Sequence, residues 1–201
     1  MNLEISFRDK VLILGKSGSG KTTFLKILSG LIPINEGAIH NGKNKNKDFI
    51  RFKESISHLS QENFIVDKES IFYNITLKQK KLANQADMNN FDKVIKISNL
   101  NEFIRKQPLK EDTILNEGAS NISGGERQRI CIARSLFADN KLIIMDEPFS
   151  SIDKQNSDEI FRQILKDSAN KTLIISNHKK IEVKHFDKVI FFGKDKIVNI
   201  K

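Results

Sequence analysis

The sequence predicts an α/β fold, a parallel sheet flanked by helices, and three observations carry that expectation. Val11-Leu12-Ile13-Leu14, Leu142-Ile143-Ile144-Met145 and Thr172-Leu173-Ile174-Ile175-Ser176 are short, continuous apolar runs, the pattern of strands buried on both faces. Helical spacing separates them, from Ser123 through Ala138 and from about Lys154 to Asp167, as parallel connections require. A glycine-rich loop, Gly15 to Gly20, joins the first run to the helical stretch Phe24-Leu25-Lys26-Ile27-Leu28.

In chain order, Leu3 to Phe7 alternates apolar and polar and reads as a short strand, turned by Arg8-Asp9-Lys10. Ser29-Gly30 closes the first helix and Pro33 prevents its resumption. Ala38-Ile39-His40 and Ile56-Ser57-His58-Leu59 read as strands flanking a lysine-rich loop. Residues 70 to 106 carry interrupted helical periodicity through Phe72, Ile75, Phe91, Val94, Ile95, Leu100, Phe103 and Ile104, and Pro108 marks the exit. Two closing strands, Lys188 to Phe192 and Lys196 to Ile200, join across Gly193-Lys194-Asp195 and contribute to a small antiparallel β portion. The 201 residues suit one domain. Residues 1–69 and 123–201 form its core with the β portion, and about 70–122 form an inserted helical subdomain.

Composition narrows the function classes. No apolar run approaches the ~18 residues of a membrane span, and Met1-Asn2-Leu3-Glu4-Ile5 lacks a signal-peptide pattern. The single cysteine, Cys131, excludes an intramolecular disulfide framework, fits a reducing compartment, and reads as a small buried hydrophobe. Lys+Arg 34 against Asp+Glu 25 gives a net charge of +9, but the lysines are scattered. The densest cluster, Lys43-Asn44-Lys45-Asn46-Lys47, has no interleaved aromatic for base stacking. No nucleic-acid partner is expected.

Gly15-Lys16-Ser17-Gly18-Ser19-Gly20-Lys21-Thr22, with Thr23 behind it, stands between strand and helix as a phosphate-binding P-loop does. Glycines let successive N–H groups curl inward toward phosphate oxygens at a helix N-terminus. Lys21 is placed to reach the β- and γ-phosphates, and the Thr22 hydroxyl to ligate Mg²⁺. The core is therefore read as that of a P-loop NTPase. Asp146 and Glu147 end the apolar run 142–145. There Asp146 can hold Mg²⁺ through a water, and Glu147 can polarise a water attacking the γ-phosphate. Ser123 can cap the next helix while Gly124 and Gly125 present bare N–H groups, a second anion site. One nucleotide in one chain does not need both helix ends, whereas a dimer does if each chain grips the phosphate that the other has bound.

The stretch Asn121-Ile122-Ser123-Gly124-Gly125-Glu126-Arg127-Gln128-Arg129 resembles the signature motif of ABC-type ATPases, and the similarity runs from about residue 3 to 200. On that resemblance Gln61 looks like the Q-loop glutamine, which contacts the metal and the attacking water. Ser151-Ile152-Asp153 resembles the D-loop, which places Asp153 at a dimer interface, and His178 looks like the switch histidine at the γ-phosphate. The catalytic set implied is Glu147, His178, Gln61 and Lys21, with metal contacts from Thr22, Gln61 and Asp146, and Ser123 to Glu126 on the partner's ATP. The resemblance further implies ATP and Mg²⁺ as cofactors, a homo- or heterodimer, an integral membrane transporter subunit, and a peripheral position on the cytoplasmic face. Glu117-Gly118 and Glu69 to Ile75 resemble exporter-type domains; Asp146-Glu147-Pro148-Phe149-Ser150 is closer to importers and lipoprotein-extracting systems. Export is the favoured expectation. A soluble ABC ATPase acting on DNA or ribosomes and a small P-loop kinase are the competing classes.

The chain departs from the family pattern at Glu126, where glutamine is common, and at Asn177, where threonine or serine is frequent. The family also carries two strands ahead of the P-loop strand, with an aromatic residue that stacks on adenine. Here about ten residues precede Val11 and hold Phe7 alone; Tyr73 lies in the helical region. The expectation is a domain lacking those strands. Either affinity rests on the phosphates, or a partner chain supplies the missing part. His40, His58 and His185 match nothing in the pattern and are expected at the surface.

Overall fold

The computed structural model describes residues 3–41, 44–45, 55–177, 182–193 and 197–199. Its contacts group into two compact units: Met1–Gln61, Asn140–Pro148 and Ser168–Lys201 in one, Glu62–Asp139 and Phe149–Asp167 in the other.

The first unit is built on a six-stranded sheet. Its strands are β1 (Lys10–Gly15), β4 (Ile56–Leu59), β5 (Leu142–Asp146), β6 (Thr172–Asn177), β7 (Lys188–Phe192) and β8 (Ile197–Asn199), in the order β4-β5-β6-β1-β7-β8. All neighbours run parallel except the terminal β7–β8 pair. The continuous apolar runs occupy the middle of the sheet, and Val11, Leu12, Ile13, Ile143, Ile144 and Ile175 are wholly buried. Removing each such side chain from water contributes about 1.5–3 kcal/mol. Helix α1 (Lys21–Leu28) lays Leu25 into a cluster with Val11, Ile13, Ile144, Ile174, Ile190 and Phe192. It ends where the Ser29 hydroxyl donates to the Leu25 carbonyl at 2.9 Å.

Leu3 to Phe7 is not a strand. Leu3 and Ile5 still pack against the core cluster, so the alternation records one buried side without a ladder partner. The Asp9 carboxylate instead accepts the Ser6 N–H at 2.7 Å and closes a turn. The strand expected at Ala38 to His40 is shifted to β2 (His40–Asn41), which pairs antiparallel with β3 (Asn44–Lys45). Lys196 and Ile200, expected in the last strand, lie outside the described residues.

The second unit is helical. It contains α2 (Ile71–Thr76), α3 (Gln85–Ile97), α4 (Asn101–Lys106), α5 (Gly124–Phe137) and α6 (Lys154–Asp167), with short 3-10 turns between α2 and α5. It takes in α5 and α6 as well as the segment 70–122. The interruptions foreseen in that segment fall at Leu77 and Asn99, both in the left-handed region with φ 54°. Helices α2 and α3 pack on α5, with the Phe72 and Phe91 rings 4.9 Å apart between centroids. Buried Asn74 and half-buried Arg134 join α2 to α5. Arg134 donates to the Asn74 carbonyl at 2.5 Å, the Asn74 Oδ1 at 3.0 Å and the Phe64 carbonyl at 2.8 Å. Among the described residues no helix is long and apolar enough to cross a membrane.

Candidate nucleotide site

The P-loop follows from β1 with almost no room to spare. A Cβ on Gly15 would stand 2.7 Å from the Phe192 carbonyl oxygen and 2.7 Å from Ser19 Oγ, a separation real side chains do not tolerate. Gly20 caps α1 with φ +94°, a left-handed conformation suited to glycine, and no side chain caps the helix. Lys16, Ser17, Gly18 and Thr23 are exposed, and Thr22 is half-buried. Lys21 is 4% exposed. Its ammonium donates to the Gly15 carbonyl at 2.8 Å and the Lys16 carbonyl at 3.0 Å. A buried cation held only through neutral carbonyls is poorly compensated without an anion.

That carboxylate neighbour comes from the end of β5. Glu147 Oε1 lies 3.9 Å from Lys21 Nζ, both side chains being largely buried. Glu147 has φ 49°, a left-handed setting that costs a non-glycine residue about 1–3 kcal/mol and recurs at functional sites. Its N–H is received by Ser176, at 3.0 Å from the hydroxyl and 3.3 Å from the carbonyl. The Ser176 hydroxyl in turn donates to Asp146 Oδ1, because β5–β6 register places Asp146 opposite Ser176. Asp146 is 2% exposed. Ser176 thus orients both acids, a role that sequence reasoning missed. The available signal was a hydroxyl at the end of an otherwise apolar strand beside the acidic one.

These residues fit a metal–nucleotide ligand. Ser19 Oγ is buried without a hydrogen-bond partner at the foot of the loop, a donor awaiting an oxygen acceptor. The Thr22 hydroxyl and Asp146 carboxylate are hard oxygen donors of the kind that Mg²⁺ takes together with phosphates.

In the second unit, Ser123 caps α5 in a closed capping box. Its Oγ accepts the Glu126 N–H at 3.2 Å, and Glu126 Oε2 accepts the Ser123 N–H at 2.7 Å and the Ser123 hydroxyl at 2.8 Å. The turn 149–153 rests on this helix start. A Cβ on Gly125 would meet the Ser151 carbonyl at 3.2 Å. Buried Gln128 receives the Ser151 N–H at 2.6 Å and donates to Ser150 Oγ at 3.1 Å. No local sequence signal marks that clamp, which sequence reasoning missed. Asp153 accepts the Asn156 N–H at 3.0 Å and its side-chain amide at 2.7 Å, which hold its carboxyl below the ordinary range. Arg127 donates to the Gly118 and Ala119 carbonyls, and the Gly118 N–H donates to Asp67 Oδ1 at 2.8 Å. The Glu117-Gly118 segment is thereby tied to α5.

Gln61 is exposed two residues beyond β4. His178 lies outside the described residues. His40 and His185 are exposed, as expected, but His58 is not a surface residue: it is half-buried on β4, and its Nε2 is buried without a partner. Cys131 is buried, and burial pushes its thiol up.

A sequence model of the ABC transporter family matches residues 1–150. The chain is 36% identical over 200 residues to the lacticin-481/lactococcin-DR transport/processing ATP-binding protein lcnDR3 of Lactococcus lactis subsp. lactis. That match covers 98% of this chain and 28% of the relative. It is 37% identical to ABC transporter ATM1 of Plasmodium falciparum, over 92% of this chain and 17% of the relative. It is 31% identical to the thiamine import ATP-binding protein ThiQ of Histophilus somni, over 100% of this chain and 87% of the relative. The fold matches that of a bacterial Atm1-family ABC exporter solved with ATP bound, with a TM-score of 0.83 at 24% identity, over 96% of this chain and 33% of that one. The chain thus spans less than a third of the lcnDR3 and ATM1 relatives and most of the ThiQ relative. By its P-loop, its paired acids and its matched family model, the chain belongs to the ABC transporter family.

Proposed function

We propose that this chain is the ATP-binding and ATP-hydrolysing part of an ABC transporter, acting as a dimer on the cytoplasmic face of a membrane. In this reading it drives export through membrane-spanning subunits. The observation that carries the reading is the Lys21 ammonium sealed under the P-loop, 3.9 Å from Glu147.

In the working cycle Lys21 exchanges its loop carbonyls for the β- and γ-phosphate oxygens, and Ser19 finds its missing acceptor there. Thr22 and Asp146, the latter through a water, would hold Mg²⁺, with Gln61 contributing; bound there, it would supply positive charge against the transferred phosphoryl group. Glu147, fixed by Ser176, orients and deprotonates the attacking water. His178 contacts the γ-phosphate. Ser123, Gly124, Gly125 and Glu126 of a second copy complete the nucleotide's surroundings, and Asp153 stands at that interface. Once the bond between the β- and γ-phosphates has broken, the freed phosphate leaves, the nucleotide no longer links the two copies and the pair reopens.

Export is supported by the likeness to lcnDR3, a transport/processing ATP-binding protein, and to the Atm1-family exporter. The match to ThiQ over 87% of its length favours, as a second reading, the ATPase of an importer. The test is purification of the chain followed by assays of Mg²⁺-dependent ATP hydrolysis and of ATP-dependent dimerisation by light scattering. Hydrolysis with dimer formation on ATP is expected; a monomer that neither binds nor splits ATP overturns the reading. Reconstitution with its membrane partner in vesicles, scored for the direction of cargo movement, separates export from import.

A further inference from the structure

His58, half-buried on β4 with its Nε2 buried, is a polar group that the mechanism above leaves unused. It sits on β4, where the register pairs it with Ile144 of β5. Side chains two apart on a strand share a face, so Asp146 lies on the same face as His58, one diagonal step away. Such diagonal neighbours are within reach of ring-bearing side chains. That face is the one covered by α1, since Ile56, Leu142 and Ile144 all pack in the cluster holding Leu25. A β-branched apolar residue would suit the position better on strand propensity and burial alone. The chain instead carries an imidazole whose Nε2 is buried and meets no protein partner. Buried nitrogens are met by something, and water is the commonest answer when protein is not. Asp146 offers the matching partner: Ser176 occupies Oδ1, leaving Oδ2 for other ligands.

We propose that His58 is a positioning residue of the nucleotide site, its Nε2 holding a water on the Asp146 side of the sheet and so steadying the water-mediated metal contact that Asp146 makes. The inference rests on the nucleotide reading of the previous subsection. The electrostatics agree with it. Burial holds the imidazole below its ordinary value, with Lys26 of α1 adding to the lowering, while the Asp146 carboxylate pulls in the opposite direction. Two opposite charges, one on each neighbouring element, therefore act on this ring. His58 is a neutral hydrogen-bonding group in that balance, fit to orient a water without adding charge to the metal site.

The test uses the whole chain and its four imidazoles, assigned by substitution. Mn²⁺–ADP replaces Mg²⁺–ADP, and the ring resonances are recorded by NMR. Selective broadening of the His58 signals, with His185 little affected, is expected. His58→Val should raise the Mg²⁺ concentration needed to half-saturate the nucleotide complex by about tenfold, the lower end of what loss of an outer-shell partner costs. Its affinity for ATP in EDTA should stay unchanged. His58→Gln, which keeps a hydrogen-bonding group, should recover most of the metal dependence. An unbroadened His58, or a valine variant with wild-type Mg²⁺ dependence, overturns the proposal while leaving the nucleotide site standing. Failure of the wild-type chain to bind ADP at all overturns both. If the valine variant does not fold, the NMR measurement on the unaltered chain and the glutamine variant still decide the matter.

Discussion

Two helix starts in this chain solve the same problem in opposite ways. Every helix leaves its first N–H groups without intrahelical partners. At α1 the cap is Gly20, which brings no side chain to them, and the neighbouring cation, Lys21, has only loop carbonyls and a carboxylate at 3.9 Å. At α5 the cap is Ser123, whose box with Glu126 is closed from both sides. The adjacent Arg127 is also engaged, with the Gly118 and Ala119 carbonyls. The α1 end is unfinished without a ligand, whereas the α5 end satisfies itself, so a ligand there would have to displace an internal bond. Binding is therefore expected to begin at α1 and to be completed at α5.

Substitutions can break or sharpen this contrast. Lys21→Ala should have the largest effect, weakening nucleotide binding by about 10²-fold or more as a desolvated charge partner is lost. Calorimetry showing wild-type affinity would remove the contrast altogether. Glu147→Gln should bind nucleotide normally but lower turnover by about 10²–10⁴-fold, the range for a lost general base. Near-normal phosphate release would take Glu147 out of that role. Gln128→Ala strips the 149–153 turn of two partly buried bonds and should cost about 1–3 kcal/mol, seen as a melting temperature lower by several degrees. ATP affinity of the monomer should not move, because the clamp belongs to the α5 side. Glu126→Gln is the mildest: the cap persists, the melting temperature should shift by under about 2 °C, and ATP-driven dimerisation should tighten as Ser123 no longer donates to a carboxylate. Unchanged dimerisation would mean that the closed box does not compete with the ligand.

The features legible in the sequence were those set by near neighbours. The P-loop, the acids ending β5 and the cap at Ser123 are written in consecutive residues, and so were the strands buried on both faces. What escaped was decided by residues far apart. Ser176 matters because strand register sets it opposite Asp146, and Gln128 because the turn at 150–151 folds onto α5. His58 looked like surface because a lone imidazole in a short strand carries no local mark of burial. Leu3 to Phe7 failed in the other direction: its alternation is real, but a strand also needs a ladder partner, and none among the described residues pairs with it.

The contact between Gly15 and the Phe192 carbonyl gives the late strand β7 a part in nucleotide chemistry that its position in the chain conceals. The loop's floor is borrowed from a segment made some 170 residues later. On a ribosome the phosphate cradle thus lacks its floor until Lys188 to Phe192 have been made, and cutting the chain ahead of Lys188 should leave a loop of intact sequence with no shape to read ATP.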